Sequence, residues 1–241
     1  MNFKLIACEI FEHEINFAVS NAVHKITVEF VPKALHDVPT AEMRQQLQEL
    51  ITIADHEEYD YILLAYGLCN NGTAGLRTQQ LPLVIPRVHD CIGVLMGSSK
   101  TYCSYFNDHP GSYYLSPGWV EHSAVADSGS IQSQLNMSQS YDYFLQHYGE
   151  DNAAFLYEQL SGATKHYSEL TYIRTGVEGD SGYEAEARQE AARNNWGFNI
   201  FDGTTALLQR FVNGEWSCEE FAIIPPGECI QASYNETIFK I

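Results

Sequence analysis

Short apolar runs that alternate with amphipathic stretches predict an α/β protein. Three observations carry this. Lys4 to Ile10, Asp60 to Ala65 and Leu83 to Pro86 are brief apolar segments of the kind that form buried parallel strands. Two stretches with helical spacing lie between the first two of them. From Glu169 onward, strand-like and helix-like segments alternate again.

Taken in order, Lys4 to Ile10 is the first expected strand. Glu12 to His24 reads as a helix, with Ile15, Val19 and Val23 four apart on one face. Lys25 to Val31 alternates, placing Ile26, Val28 and Phe30 on one side of a second strand. Thr40 to His56 is the clearest helix. Leu47, Leu50, Ile51 and Ala54 form its stripe, and Thr40, just after Pro39, is its expected N-cap. Asp60 to Ala65 and Leu83 to Pro86 follow as strands, Ile92 to Tyr102 as a helix, and Ser112 to Leu115 as a strand.

Ser123 to Ser140 is rich in Ser, Gln, Gly and Asn and reads as a connection. A second series follows: a helix over Tyr141 to Ala163, a strand over Glu169 to Arg174 and a helix over Gly182 to Asn194. It continues with a strand over Gly197 to Phe201, a helix over Thr204 to Val212 and a strand over Phe221 to Ile224. The expected organisation is an N-terminal half (1–122), a connection (123–140) and a C-terminal half (141–241). The expected fold is Rossmann-like, a parallel or mixed sheet with helices on both faces. Two lobes and one long sheet both remain open.

Composition narrows the function. The 241 residues include 13 Lys+Arg against 31 Asp+Glu, a formal charge of −18. A nucleic-acid binder needs a positive footprint, and an anionic membrane surface asks for the same, so neither partner is expected. No run reaches the roughly 18 apolar residues of a spanning helix. Too little apolar chain precedes Cys8 for a signal peptide, so a cytoplasmic protein with six reduced thiols is expected. Three sequons, such as Asn71-Gly72-Thr73, carry no meaning in that compartment.

The densest chemistry lies at the ends of the apolar runs. Cys8, Cys69 and Cys91 each stand just past one of them, the last within His89-Asp90-Cys91. If those strands are parallel neighbours, their C-terminal ends share one edge, where open α/β sheets bind ligands. Three thiols and an imidazole would then converge on a soft-metal or thiol site. No Cys-x-x-Cys pair exists, so any convergence must come from the fold.

The other candidates are weighed the same way. Asp90 reads either as a partner of His89 or as the N-cap of the helix after it. Gly67, Gly72 and Gly75, with Asn70 among them, could let backbone N–H groups approach an anion. Arg87 could clamp a small anion, and Arg77 less so. Trp119 reads as a cleft wall or as core. Asp202-Gly203 reads best as a helix cap and turn. Cys103, Cys218 and Cys229 read as structural. Gly-x-Ser-x-Gly is absent.

Several of these segments carry a resemblance. They are Ala7-Cys8-Glu9, Tyr66-Gly67-Leu68-Cys69-Asn70 and Ile85-Pro86-Arg87-Val88-His89-Asp90-Cys91-Ile92. Further along are Tyr114-Leu115-Ser116-Pro117-Gly118-Trp119, Tyr148-Gly149-Glu150-Asp151-Asn152-Ala153, Gly214-Glu215-Trp216 and Phe221-Ala222-Ile223-Ile224-Pro225-Pro226-Gly227-Glu228. Together they resemble the DUF1638 family of uncharacterised prokaryotic proteins. The resemblance implies a place beside corrinoid-dependent methyltransferase systems for methylamines and related one-carbon donors, with any corrinoid carried by a partner. It implies no reaction.

The expectation is therefore a metal-binding protein acting on a small molecule, by metal-assisted group or methyl transfer. Cys8, Cys69, Cys91 and His89 would hold zinc or an iron–sulfur cluster. His89 and Asp90 would act in catalysis, and Gly67, Asn70, Gly72, Arg87 and Trp119 would line the ligand site. The rivals are a non-catalytic protein that binds a small anion or a methyltransferase, and a metal-free cysteine enzyme.

Overall fold

A computed structural model describes residues 1–36, 38–69, 71–122, 166–179, 182–233 and 238–240. The protein is α/β, with a mixed five-stranded sheet in the order β2-β1-β3-β4-β8. Its strands are β1 (Asn2–Cys8), β2 (Lys25–Val31), β3 (Tyr61–Ala65), β4 (Leu83–Pro86) and β8 (Phe221–Ile224). The first four run parallel, and β8 closes the edge antiparallel to β4. β1, β3 and β4 are buried almost throughout, as their continuous apolar runs require. The chain goes from β1 to β2 on one side and then to β3 on the other. The connection direction thus reverses between β1 and β3.

Two helices join these strands: α1 (Glu12–Ser20) and α2 (Thr40–Asp55). α1 is shorter than its apolar spacing suggests, and Val23, beyond its end, is 75% exposed. Thr40 is the first helical residue of α2 rather than its cap. Pro39 holds the cap position, and no side chain caps there. Asp55 ends α2 with a buried carboxylate that accepts the backbone N–H groups of Gln79, Gln80 and Leu81, fastening the loop into β4. The expected helix over Ile92 to Tyr102 is two helices, α3 (Cys91–Leu95) and α4 (Ser99–Asp108). Gly97, at φ +87, breaks them, and the Ser98 hydroxyl caps the second by accepting from Thr101 N–H.

A separate parallel sheet has the order β5-β6-β7: β5 (Ser112–Leu115), β6 (Glu169–Arg174) and β7 (Gly197–Asp202). With it go α5 (Pro117–Glu121) and α6 (Tyr183–Arg193), whereas α7 (Ala206–Val212), which follows β7, packs on α1 and in the core of the first sheet. β9 (Gln231–Ala232) and β10 (Phe239–Lys240) form a small hairpin pair. The two sheets do not follow the expected division of the chain. β5 lies before residue 122 yet pairs with β6, and β8 from the C-terminal half completes the first sheet. The expected connection over 123–140 and the helix over Tyr141 to Ala163 lie outside the described residues.

The two sheets meet closely. Gly118 in α5 stands against the turn after β1: an added Cβ there would sit 2.0 Å from the Ile10 carbonyl oxygen. Thr204 N–H donates to the Leu95 carbonyl at 2.9 Å. The His13 ring on α1 meets Glu121 on α5 at 2.7 Å.

Candidate functional site

The parallel order of β1, β3 and β4 brings Cys8, Cys69 and Cys91 to one edge of the sheet, at the point where connection direction reverses. Cys8 ends β1 and is 1% exposed. Cys69 follows β3 with its backbone in the left-handed region, at φ 45, where a non-glycine residue is strained. Its N–H donates to the His89 carbonyl at 2.9 Å, and Leu68 N–H donates to Val88 at 3.0 Å. These bonds join the loop after β3 to the loop after β4. Cys91 opens α3 directly beyond them.

The three thiols share one electrostatic neighbourhood. Burial pushes the Cys8 thiol up to about 12, with the Tyr66 hydroxyl donating a hydrogen bond to it and Lys33 opposing the rise. Burial pushes Cys69 up as well, and the negative charges of Asp90 and an ionised Cys8 would add to it. Cys91 is likewise raised well above the ordinary thiol range by burial, then by Asp90, Cys69 and Cys8. All six cysteines of the chain are free thiols.

A cleft of about 420 Å³ opens over this edge. Cys69, Cys91 and Asp90 line it from the first sheet, and Tyr102, Tyr114 and Trp119 line it from α4, β5 and α5. Asp90 is the one charged residue among the described lining. Its Oδ1 caps α3, accepting from Ile92 N–H at 3.0 Å and Gly93 N–H at 3.3 Å. Burial raises its pKa, against those bonds and one from the Tyr102 hydroxyl. The Tyr114 hydroxyl is raised to about 12 by burial, which outweighs the opposing influence of the nearby Ser112 hydroxyl.

The expected site residues separate. Cys69, Cys91, Asp90 and Trp119 line the cleft, with Cys8 behind them. His89 does not join them. Its side chain is exposed, because the loop bends so that Asp90 points inward to cap α3. Arg87 is not placed to clamp a ligand. Its guanidinium donates to the backbone carbonyls of Cys218, Phe221 and Phe239, tying β4 to β8 and β10. Gly67 serves packing, since a Cβ there would lie 2.7 Å from the Asp90 nitrogen. Gly72 likewise makes room for the Met43 side chain. Asn70 lies outside the described residues.

Sequence reasoning missed Tyr66, Tyr102, Tyr114 and Lys33 as parts of the site. Lys33 is 7% exposed, and its ammonium stands 4.9 Å above the Trp119 ring. Only Tyr66, directly after a buried strand and three residues before Cys69, carried a local signal.

Among the described residues, no three His, Cys, Asp or Glu side chains form a ready-made metal site. The donor set still suits a soft metal chemically: one buried and two half-buried thiols, each of which a bound cation would deprotonate.

The class defined by this fold and site is an α/β protein with a thiol-floored cleft at a sheet edge. The chain matches a family described as proteins of unknown function, DUF1638, over residues 30–212 of 241. It belongs to that family, and the match takes in Cys69, Asp90, Cys91 and Trp119 but begins beyond Cys8. No curated protein and no solved structure matches the chain.

Proposed function

We propose that the protein binds a soft metal, zinc or an iron–sulfur cluster, through Cys8, Cys69 and Cys91, and acts on a small molecule held in the cleft above them. The carrying observation is that parallel β1, β3 and β4 bring Cys8, Cys69 and Cys91 to one sheet edge beneath an aromatic-walled cleft. Without a cation the thiols are neutral. With one they become thiolates, and the desolvation that raises them turns into a preference for a strongly bound metal. When bound, the metal would supply Lewis-acid activation at a position open to the cleft, the basis for group or methyl transfer. The chain's own contribution is to exclude water with Tyr102, Tyr114 and Trp119 and to orient a polar group of the substrate with Asp90.

Three further points belong to this proposal. The order β2-β1-β3-β4 supports a Rossmann-like reading of the sheet, in which ligands sit at the strand ends where direction reverses. The cleft volume suits a small molecule, so a corrinoid in linked one-carbon or methylamine metabolism would come on a partner. A cytoplasmic place accords with six free thiols. No helix among the described residues is long and apolar enough to cross a membrane.

The rivals have less support. A metal-free cysteine nucleophile needs a lowered pKa, and all three of these thiols are raised. An anion-binding role meets Asp90 in the cleft and finds Arg87 committed to carbonyls.

The test is metal content and the visible spectrum of protein purified without oxygen. Near-stoichiometric zinc, or iron with sulfide and brown colour, is expected. Cys69→Ser should lower the bound metal at unchanged secondary structure, while Cys103→Ser, on the exposed side of α4, should not. Equal metal in both variants sinks the ligand assignment, and absence of metal from the wild type moves the weight to simple small-molecule binding.

A further inference from the structure

Away from the cleft, one hydroxyl faces two carboxylates. Thr175, directly after β6, has its Oγ1 2.7 Å from Glu14 Oε1 on α1 and 2.9 Å from Glu178 Oε2. Both are hydrogen-bond distances. A threonine hydroxyl has one proton to donate, and an ionised carboxylate can only accept. With both glutamates ionised, one of the two short contacts would be an oxygen–oxygen repulsion. The geometry needs one more proton than an all-ionised arrangement holds.

The surroundings decide which glutamate carries it. Glu178 is furnished as an anion: Oε1 accepts Thr175 N–H and Oε2 accepts Val177 N–H, each at 3.1 Å. Glu14 is furnished as an acid. It is 2% exposed, and its Oε2 has no hydrogen-bond partner among the described residues. A buried carboxylate with a bare oxygen is costly, and a neutral carboxyl is far less so. We propose that Glu14 is a buried proton-binding site, a neutral acid that donates to Thr175, whose hydroxyl donates on to Glu178. This chain of two hydrogen bonds clasps α1 to the second sheet, and it opens when the proton is lost.

The charge surroundings agree. Burial raises the Glu14 pKa, the Thr175 bond and its own backbone oppose this, Glu178 raises it and His13 lowers it. His13 on α1 is engaged with Glu121 of α5. Arg174, at the end of β6, pairs with Asp202 and reaches Glu184. Glu9 and Glu12, in and just after the turn that follows β1, face His122. From α7, which packs on α1, Gln209 donates to the Ala18 carbonyl and Arg210 pairs with Glu220. None of these hydrogen-bonds Glu14 Oε2.

The clasp has a place in the architecture. α1 follows the turn that leaves Cys8, and the second sheet carries Tyr114 of the cleft wall. Losing the proton puts two anions on one hydroxyl and weakens a contact between the thiol side and the aromatic side. Because the folded-state pKa is raised, the stabilisation is whole below the ordinary value of 4.5 and declines as pH rises above it. It is gone once pH passes the folded value.

The inference stands apart from the metal reading, and its test needs no metal. Infrared difference spectra of the full chain with labelled glutamate would be recorded from pH 4.5 upward. The wild type should show a protonated-carboxyl band that is missing in Glu14→Gln. In Glu178→Gln, which removes the neighbouring negative charge, the band should vanish at lower pH. The Tm of the wild type relative to Glu14→Gln should fall as pH rises. Identical bands in the wild type and Glu14→Gln, or a pH-independent Tm difference, overturn the proposal. If Glu14→Gln does not fold, the wild-type band and its displacement in Glu178→Gln decide the matter. A band that Glu178→Gln leaves unmoved would then overturn it.

Discussion

The two sheets are built from the same parallel pairing and differ in what their faces touch. Apart from Asn2 and Lys4 at the start of β1, the strands β1, β3 and β4 are apolar on both faces and almost wholly buried. β7 is mostly half-exposed, and one face of the second sheet carries a polar network. In it Ser112, Asn199 and the His109 ring surround Glu169, and Tyr105 reaches Thr171. A sheet buried on both faces has few ways to move, and it holds the thiols. The second sheet sets buried hydroxyls, Ser112 and Thr171, into its packing, and it holds part of the aromatic wall. The cleft lies between an apolar, thiol-bearing floor and a more polar side.

The largest test of this contrast is core truncation. Leu64→Ala, fully buried in β3, should destabilise by about 2–5 kcal/mol in denaturant unfolding. Ile200→Ala, half-buried in β7, should lie at or below the bottom of that range. Equal losses would mean the second sheet is as tightly packed as the first. Next comes the seam. Gly118→Ala drives a Cβ onto the Ile10 carbonyl and should cost about 1–3 kcal/mol or more, while displacing Trp119 and changing its fluorescence. An unperturbed Tm there would show that the seam gives way easily.

Asp90→Ala should cost about 1 kcal/mol, since α3 loses its cap, whereas Asp90→Asn keeps a capping oxygen and should stay within a few tenths. If Asp90→Asn retains stability but loses ligand binding, Asp90 serves the cleft as well as the helix. The smallest effect is in acid. Desolvation pushes Glu169 up, but bonds from Ser112, Asn199 and His109 outweigh it and hold the carboxyl below its ordinary 4.5. Its stabilisation is therefore present above that value and lost as pH falls through the depressed one. Glu169→Gln should flatten the acid limb of a Tm–pH curve, and an unchanged limb would remove the network from the account.

Legibility followed the same division. β1, β3 and β4 show in the sequence because burial on both faces demands continuous apolar runs. Their shared direction is what made Cys8, Cys69 and Cys91 a candidate group. Arg87 and His89 misled for one reason: a cation or imidazole beside a thiol reads as chemistry until its partners are known. For Arg87 those partners are three carbonyls, all of them more than 130 residues away in sequence. Thr40 looked like a cap, yet Pro39, with its fixed φ, occupies that position. Tyr102 and Tyr114 gave no signal, because a tyrosine's role depends on which cavity its ring closes.

What the sequence determined by itself is local: the apolar runs that become strands, the helical stripe of α2, and thiols at strand ends. These follow from periodicity and burial, which a residue shares with its near neighbours. Only the tertiary structure decided that β8 returns to close the first sheet, that β5 leaves for the second, and that Glu14 meets Thr175 across 161 positions of chain. Such pairings are chosen by competition among many surfaces of similar hydrophobicity. The free-energy differences that settle it belong to the whole packed molecule, and no short segment records them.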